Sequence, residues 1–126
     1  MFNLFKKNKN ARPAFSRLQE YINRDKYFYR VAQWRWLDST RIAITDPAQP
    51  RIITLDPWPQ QVFIAAEGKM TIRGYVDYMA DKYNGEIPEH LDTTIINQID
   101  SLMKEGIIKL SDIAVEVPDD ILRTQK

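Results

Sequence analysis

The apolar positions along the chain change their period several times, and each change marks an element. From Pro13 onward Phe15, Leu18, Tyr21 and Ile22 follow helical spacing, which predicts a short helix to about Asn23, with Pro13 in its first turn. Lys26 to Leu37 then alternates aromatic, β-branched and basic residues with neither face cleanly polar; helix and strand both fit, and a strand over Tyr29 to Trp36 fits better. Arg41 to Thr45 and Arg51 to Leu55 are two β-prone runs separated by Asp46-Pro47-Ala48-Gln49-Pro50, a linker rich in turn residues, so they should pair as an antiparallel hairpin. Asp56-Pro57 predicts a helix start, with a short helix through Trp58, Val62, Phe63 and Ala66 ended by Gly68. Thr71 is the candidate N-cap of a helix carrying Ile72, Tyr75, Val76, Met79 and Tyr83, closed by Asn84-Gly85. Gly74 inside that helix costs about 1 kcal/mol relative to Ala, tolerable if a neighbouring element packs close there. The clearest helical stripe is Leu91, Ile95, Ile99, Leu102 and Met103, stopped by Gly106. A short strand, Ile107 to Leu110, follows it, and Ile121-Leu122 allow a final helical turn after Pro118.

Together these elements give an α+β chain: a small antiparallel hairpin or sheet packed with three helices, preceded by a helical and aromatic N-terminal extension. The organisation expected is a basic flexible tail over 1–12, the extension over 13–40, a main domain over 41–117 and a C-terminal tail over 118–126. Met1 to Arg12 offers too little apolar surface to offset its ordering entropy. Its Phe2, Leu4 and Phe5 beside Lys6, Lys7 and Lys9 make a patch so short that membrane-surface contact is not expected.

Composition narrows the chemistry. The 126 residues suit one domain with an ordinary core, and no apolar run approaches the ~20 residues needed to cross a bilayer, so a cytoplasmic location is expected. There is no Cys, which removes disulfides, thiolate chemistry and Cys-ligated metals. His90 is the one histidine, too little for a His-based metal site or triad. Asp77 and Asp81 share a helix face, but Arg73 and Lys82 beside them point to a solvated surface rather than a cation site. The four glycines are isolated, so no phosphate loop exists. No catalytic residue, metal or cofactor is therefore expected, and binding is the chemistry that remains.

Charge is unevenly spread: residues 1–41 carry +7 and residues 42–126 carry −6, which gives the chain its +1, and nine of the fourteen aromatics lie in the front third. Arg24, Lys26, Arg30 and Arg35 interleave with Tyr27, Tyr29, Trp34 and Trp36, as on single-stranded nucleic acid platforms. The same pattern also fits a strand whose aromatics fill the core and whose arginines cover the outside.

The order hairpin, short helix, helix, longer helix over residues 41–110 resembles the PqqD-like family, small winged-helix domains that recognise the leader segments of ribosomally made peptides before modification. Four stretches carry the resemblance: Ile52-Ile53-Thr54-Leu55-Asp56; Phe63 to Ile72 through Gly68 and Thr71; Tyr75 to Tyr83; and Asp92 to Ile108 with Ile95, Ile99, Leu102, Met103, Gly106 and Ile107. Asp56-Pro57-Trp58-Pro59 and Glu67-Gly68-Lys69 depart from the family pattern, and the front third has no counterpart in it. The resemblance implies a winged-helix-like domain and a non-enzymatic adaptor that holds an extended peptide and presents it to a peptide-modifying enzyme. It further implies that the peptide adds as a strand to Arg51, Ile52, Ile53, Thr54 and Leu55 and lies against the third helix at Ile95, Gln98, Ile99 and Leu102.

Two other readings stand beside it. One is a nucleic-acid binder; the third helix is acidic, which phosphates would repel, so Arg24, Lys26, Arg30, Trp34, Arg35 and Trp36 would form that surface. The other is a subunit that docks on a protein complex through Trp34, Trp36 and Trp58.

Overall fold

The structure, a computed structural model, describes residues 12–124. It is an α+β fold of two small antiparallel sheets and five helices. In chain order the elements are α1 (Ser16–Glu20), β1 (Tyr27–Arg30), β2 (Trp34–Trp36), β3 (Ile42–Thr45), β4 (Ile52–Ile53), α2 (Pro57–Ala65), β5 (Glu67–Thr71), α3 (Ile72–Ala80), α4 (Leu91–Lys104), β6 (Ile108–Ser111) and α5 (Asp119–Leu122).

The single strand expected over Tyr29 to Trp36 is two strands in two different sheets. β1 runs in the middle of one sheet, between β5 and β6, with Phe28 opposite Leu110 and Arg30 opposite Ile108. Val31 N extends that pairing by donating to Ile107 O (2.9 Å), and two residues later Gln33 O accepts from Thr45 N (2.8 Å) in the other sheet. The chain thus changes sheets at the buried Ala32. The segment has no cleanly polar face because Phe28, Arg30, Ala32 and Trp34 are buried in turn while Tyr27, Tyr29 and Val31 on the alternate side are half-buried as well. The stretch 13–40 is accordingly no appendage: it supplies the centre strand of one sheet and an edge strand of the other.

The second sheet, in order β2-β3-β4, is a local meander. Asp38 builds its first turn, its carboxylate accepting from the amides of Thr40 and Arg41 (both 2.9 Å) and from Arg41 Nε (3.0 Å). These donors, the Thr40 amide foremost, hold the Asp38 carboxyl down at about 2. The expected hairpin forms, with Ile44 opposite Ile53 and Thr45 opposite Ile52. Its turn is braced by the buried Asp46, which accepts from Ala48 N (2.8 Å) and Arg51 Nε (2.6 Å).

Helix starts and stops mostly follow local chemistry, with corrections at the ends of the first three helices. α1 is shorter than the pattern predicts: Phe15 precedes it in a left-handed conformation (φ 51°) and Tyr21 is already extended. So short a helix cannot sustain itself. It is held by burial of Leu18 and by the carboxylate of Asp92, buried on α4, which accepts from Leu18 N (2.9 Å). α2 begins at Pro57 as predicted but ends at Ala65, and Gly68 lies within β5 rather than at a helix terminus. At Gly68 (φ 80°) a β-carbon would stand 2.6 Å from Val115 O, so only glycine lets the returning chain pass there, where Val115 N donates to Gly68 O (2.9 Å). α3 has the expected cap, Thr71 Oγ1 accepting from Gly74 N (3.0 Å), and ends at Ala80, before Asn84-Gly85. The close neighbours of Gly74 are that same Oγ1 and Met70, so its packing is local. α4 ends at Lys104 and is stopped by Gly106 (φ 78°), with Ile107 N donating to Leu102 O and Gly106 N to Met103 O, the paired bonds of a Schellman stop. The core gathers Phe28, Phe63, Tyr75 and the α4 stripe Leu91, Ile95, Ile96, Ile99 and Leu102 between sheets and helices.

Candidate functional site

The basic-aromatic stretch is divided by the fold. Arg30 is 2% exposed and points inward from β1. Its guanidinium packs against the rings of Trp34 (5.5 Å) and Phe63 (5.9 Å) and donates to Ile64 O (2.6 Å) at the end of α2 and to Leu122 O (2.8 Å) at the end of α5. Nε reaches Ile121 O (3.3 Å), and Glu67 stands 3.8 Å away as counter-charge. Burial pushes the Arg30 guanidinium below its ordinary pKa, and Glu67 offsets part of that push. An arginine fixes this point because its fork donates to carbonyls from two helix ends at once while its flat faces stack on rings. Trp34 is likewise buried, its Nε1 donating to Ile121 O (2.9 Å). The C-terminal turn α5 is thereby tied to the core through its carbonyls. Arg30 and Trp34, expected on a nucleic-acid surface, are structural residues, which is a correction to that expectation.

The other basic residues of the stretch are mostly paired. Lys26 bridges to Asp112, while Arg24 donates to Tyr21 O (3.1 Å) and faces Asp25 at 3.8 Å. Arg35 and Trp36 remain outward on the edge strand β2, Trp36 being 45% exposed. Trp58 is partly buried against the core, its indole nitrogen without a hydrogen-bond partner among the described residues. Asp77 and Asp81 are bridged by Arg12, and among the described residues no group of three acidic or histidine side chains is placed to hold a metal.

The proposed edge is more informative. β4 ends the β2-β3-β4 sheet, and no strand pairs with its far side among the described residues. Ile52 is 54% exposed, Arg51 and Thr54 are exposed, Leu55 is half-buried, and Ile53 turns into the core. Arg51 is anchored at both ends of its fork, to Asp46 and to Glu105 just past α4 (3.2 Å), so the strand is held against the helix terminus. Both carboxylates raise the Arg51 pKa, Asp46 the more strongly. Beside the strand lies a groove of about 250 Å³ lined by Thr40, Arg41, Thr54, Leu55, Asp56, Pro57 and Gln60. Gln60 shapes it: its buried amide accepts from Ile42 N (3.0 Å) and donates to Thr40 O (2.8 Å), pinning α2 to the start of β3.

The α4 residues expected to line a peptide groove lie elsewhere. Ile95, Ile99 and Leu102 are in the core, and Gln98 is half-buried with its side-chain oxygen unpartnered among the described residues. Burial by the chain's own elements leaves those three isoleucine and leucine side chains no face for a ligand. The groove beside β4 is lined by Thr54 and Leu55, which the resemblance implied, together with Thr40, Arg41 and Gln60, which were not among the expected site residues. The contribution of Gln60 depends on where α2 packs.

These observations define an α+β domain in which, among the described residues, the far edge of β4 is unpaired beside a groove. No family model matches the chain, and no curated protein or solved structure is significantly similar to it. Among the described residues no helix is long and apolar enough to cross a membrane.

Proposed function

We propose that this chain is a non-catalytic binding protein that takes an extended peptide as an added strand on the far edge of β4. The free edge with Ile52 half exposed carries the reading, because unpaired strand amides and carbonyls are a template for another chain. Ile52 offers an apolar contact for one side chain of the peptide, and the groove at Thr40, Thr54 and Leu55 offers a pocket for another. The PqqD-like resemblance supports the same mode and adds a partner, a peptide-modifying enzyme that would receive the bound segment. The contact surface differs from the one that resemblance implies, since Ile95, Ile99 and Leu102 are enclosed.

The test uses fluorescently labelled peptides of alternating apolar and polar residues, each paired with a version N-methylated at every second amide. Saturable binding to the full chain, insensitive to salt, abolished by N-methylation and weakened at least about tenfold by Ile52→Lys, is the expected result. Equal binding by the methylated peptides would overturn the proposal. So would nucleic acid binding that falls steeply with salt and is lost on Arg35→Ala, which would move function to the β2 face.

A further inference from the structure

A second groove, of about 310 Å³, lies where α2, β5 and α3 meet and shares no lining residue with the groove beside β4. Its walls are Ile64 and Ala65 from the last turn of α2, Met70 from β5 and Met79 from α3. Met side chains are unbranched and adaptable, so this wall can reshape around an apolar body. Tyr75 also lines it, 1% exposed, with its ring edge-on to Phe28 (5.4 Å). The Tyr75 hydroxyl has no hydrogen-bond partner among the described residues. Buried polar groups are nearly always partnered, so a phenol left alone beside a groove points to something that occupies the groove. Burial raises its pKa to about 12, which keeps it protonated and a donor at neutral pH.

The charge at the groove is equally specific. Tyr78 stacks near-parallel to Tyr75 (6.3 Å, 25°), and Lys82 Nζ lies 4.7 Å from the Tyr78 ring centre. The groove's one carboxylate, Glu67, faces the buried Arg30, whereas Lys82 forms no ion pair among the described residues. The unneutralised charge at this apolar groove is therefore cationic. We propose that the groove binds a small monocarboxylate with an apolar aryl or short acyl body, held by Lys82 at its carboxylate and by the Tyr75 hydroxyl as donor. The volume falls at the lower end of small-molecule sites, which suits a free acid rather than a folded partner.

The experiment is a titration of the full chain, labelled at its methionine methyls, with 4-phenylbutyrate and with the corresponding primary amide. Saturable shifts are expected at Met70 and Met79 and not at Met103, with the acid binding about tenfold more tightly than the amide. Lys82→Gln, an exposed change, should bring the acid down to the affinity of the amide, and Tyr75→Phe should weaken both by about fivefold while leaving the Met103 methyl unshifted. Equal affinity for acid and amide, an unchanged Lys82→Gln titration, or no saturable shift would each overturn the proposal. Tighter binding of a peptide ending in a free phenylalanine carboxylate than of the free acid would also overturn it. Because the β4 edge shares none of these residues, Ile52→Lys should leave the titration unchanged, and failure of one proposal is distinguishable from failure of the other.

Discussion

The two sheets have three strands each and are made in opposite ways. In the β5-β1-β6 sheet every neighbour is distant in sequence, Tyr27 lying opposite both Thr71 and Ser111. In the β2-β3-β4 sheet each strand pairs with the next along the chain, through turns built by Asp38 and Asp46. The first sheet covers both sides of its central strand, and the chain returning after β6 hydrogen-bonds to β5 through Val115 and Gly68. The second ends in a two-residue strand with an exposed isoleucine. A charge illustrates the difference: Arg30 on the central strand is sealed among rings and carbonyls, while Arg35, five residues on, faces solvent. Non-local pairing concentrates structure in one sheet, and local pairing leaves the far edge of β4 unpaired in the other.

The largest break in that contrast should come from Arg30→Ala, which leaves carbonyls of α2 and α5 without their donor and opens a gap against the Trp34 and Phe63 rings. A loss of about 3–5 kcal/mol in urea unfolding is expected, whereas Arg35→Ala should stay within about 0.5 kcal/mol. Gly68→Ala comes next, at about 2 kcal/mol or more, because it combines a left-handed backbone with a carbonyl oxygen 2.6 Å from the added carbon. Thr71→Ala should cost about 1 kcal/mol by removing the cap of α3, readable as a shift in the midpoint of thermal or urea unfolding. Smallest in stability is Ile52→Lys, within about 0.5 kcal/mol, although it should weaken the proposed peptide capture at the β4 edge at least about tenfold. Hydrogen exchange sharpens the same contrast: the β1 amides should exchange only by near-global opening, and the outward-facing β4 amides much faster.

Alkaline pH gives a further test. Tyr21 and Tyr75 are both raised to about 12 from 10.0, chiefly by burial, so the folded state resists their ionisation. Their folded pKa exceeds the unfolded one, so stability is complete below pH 10 and falls as pH rises towards 12. Tyr75→Phe should flatten that decline, measured as the urea midpoint on either side of pH 10.

Legibility in the sequence followed the range of the interactions. The α4 stripe and its Gly106 stop, the Thr71 cap and the β3–β4 hairpin each rest on residues within a few positions of one another, and all are present. The open edge of β4 is decided by what the rest of the fold leaves unpaired, and the groove beside it is not local either. It needs Gln60 of α2 to reach Ile42 N and Thr40 O across the fold.

Sequence by itself determined the α+β class, most helix boundaries and the hairpin, because periodicity, capping and turn chemistry act over one or two turns of chain. Tertiary structure alone decided the split of Tyr29 to Trp36 between two sheets, the strand at Glu67–Thr71, the inward turn of Arg30 and Trp34, and the enclosure of Ile95, Ile99 and Leu102. In each of these cases the deciding partner lies far along the chain. A side chain's local pattern fixes the face it shares with its neighbours, but only long-range packing determines whether that face meets water, a ligand or the core.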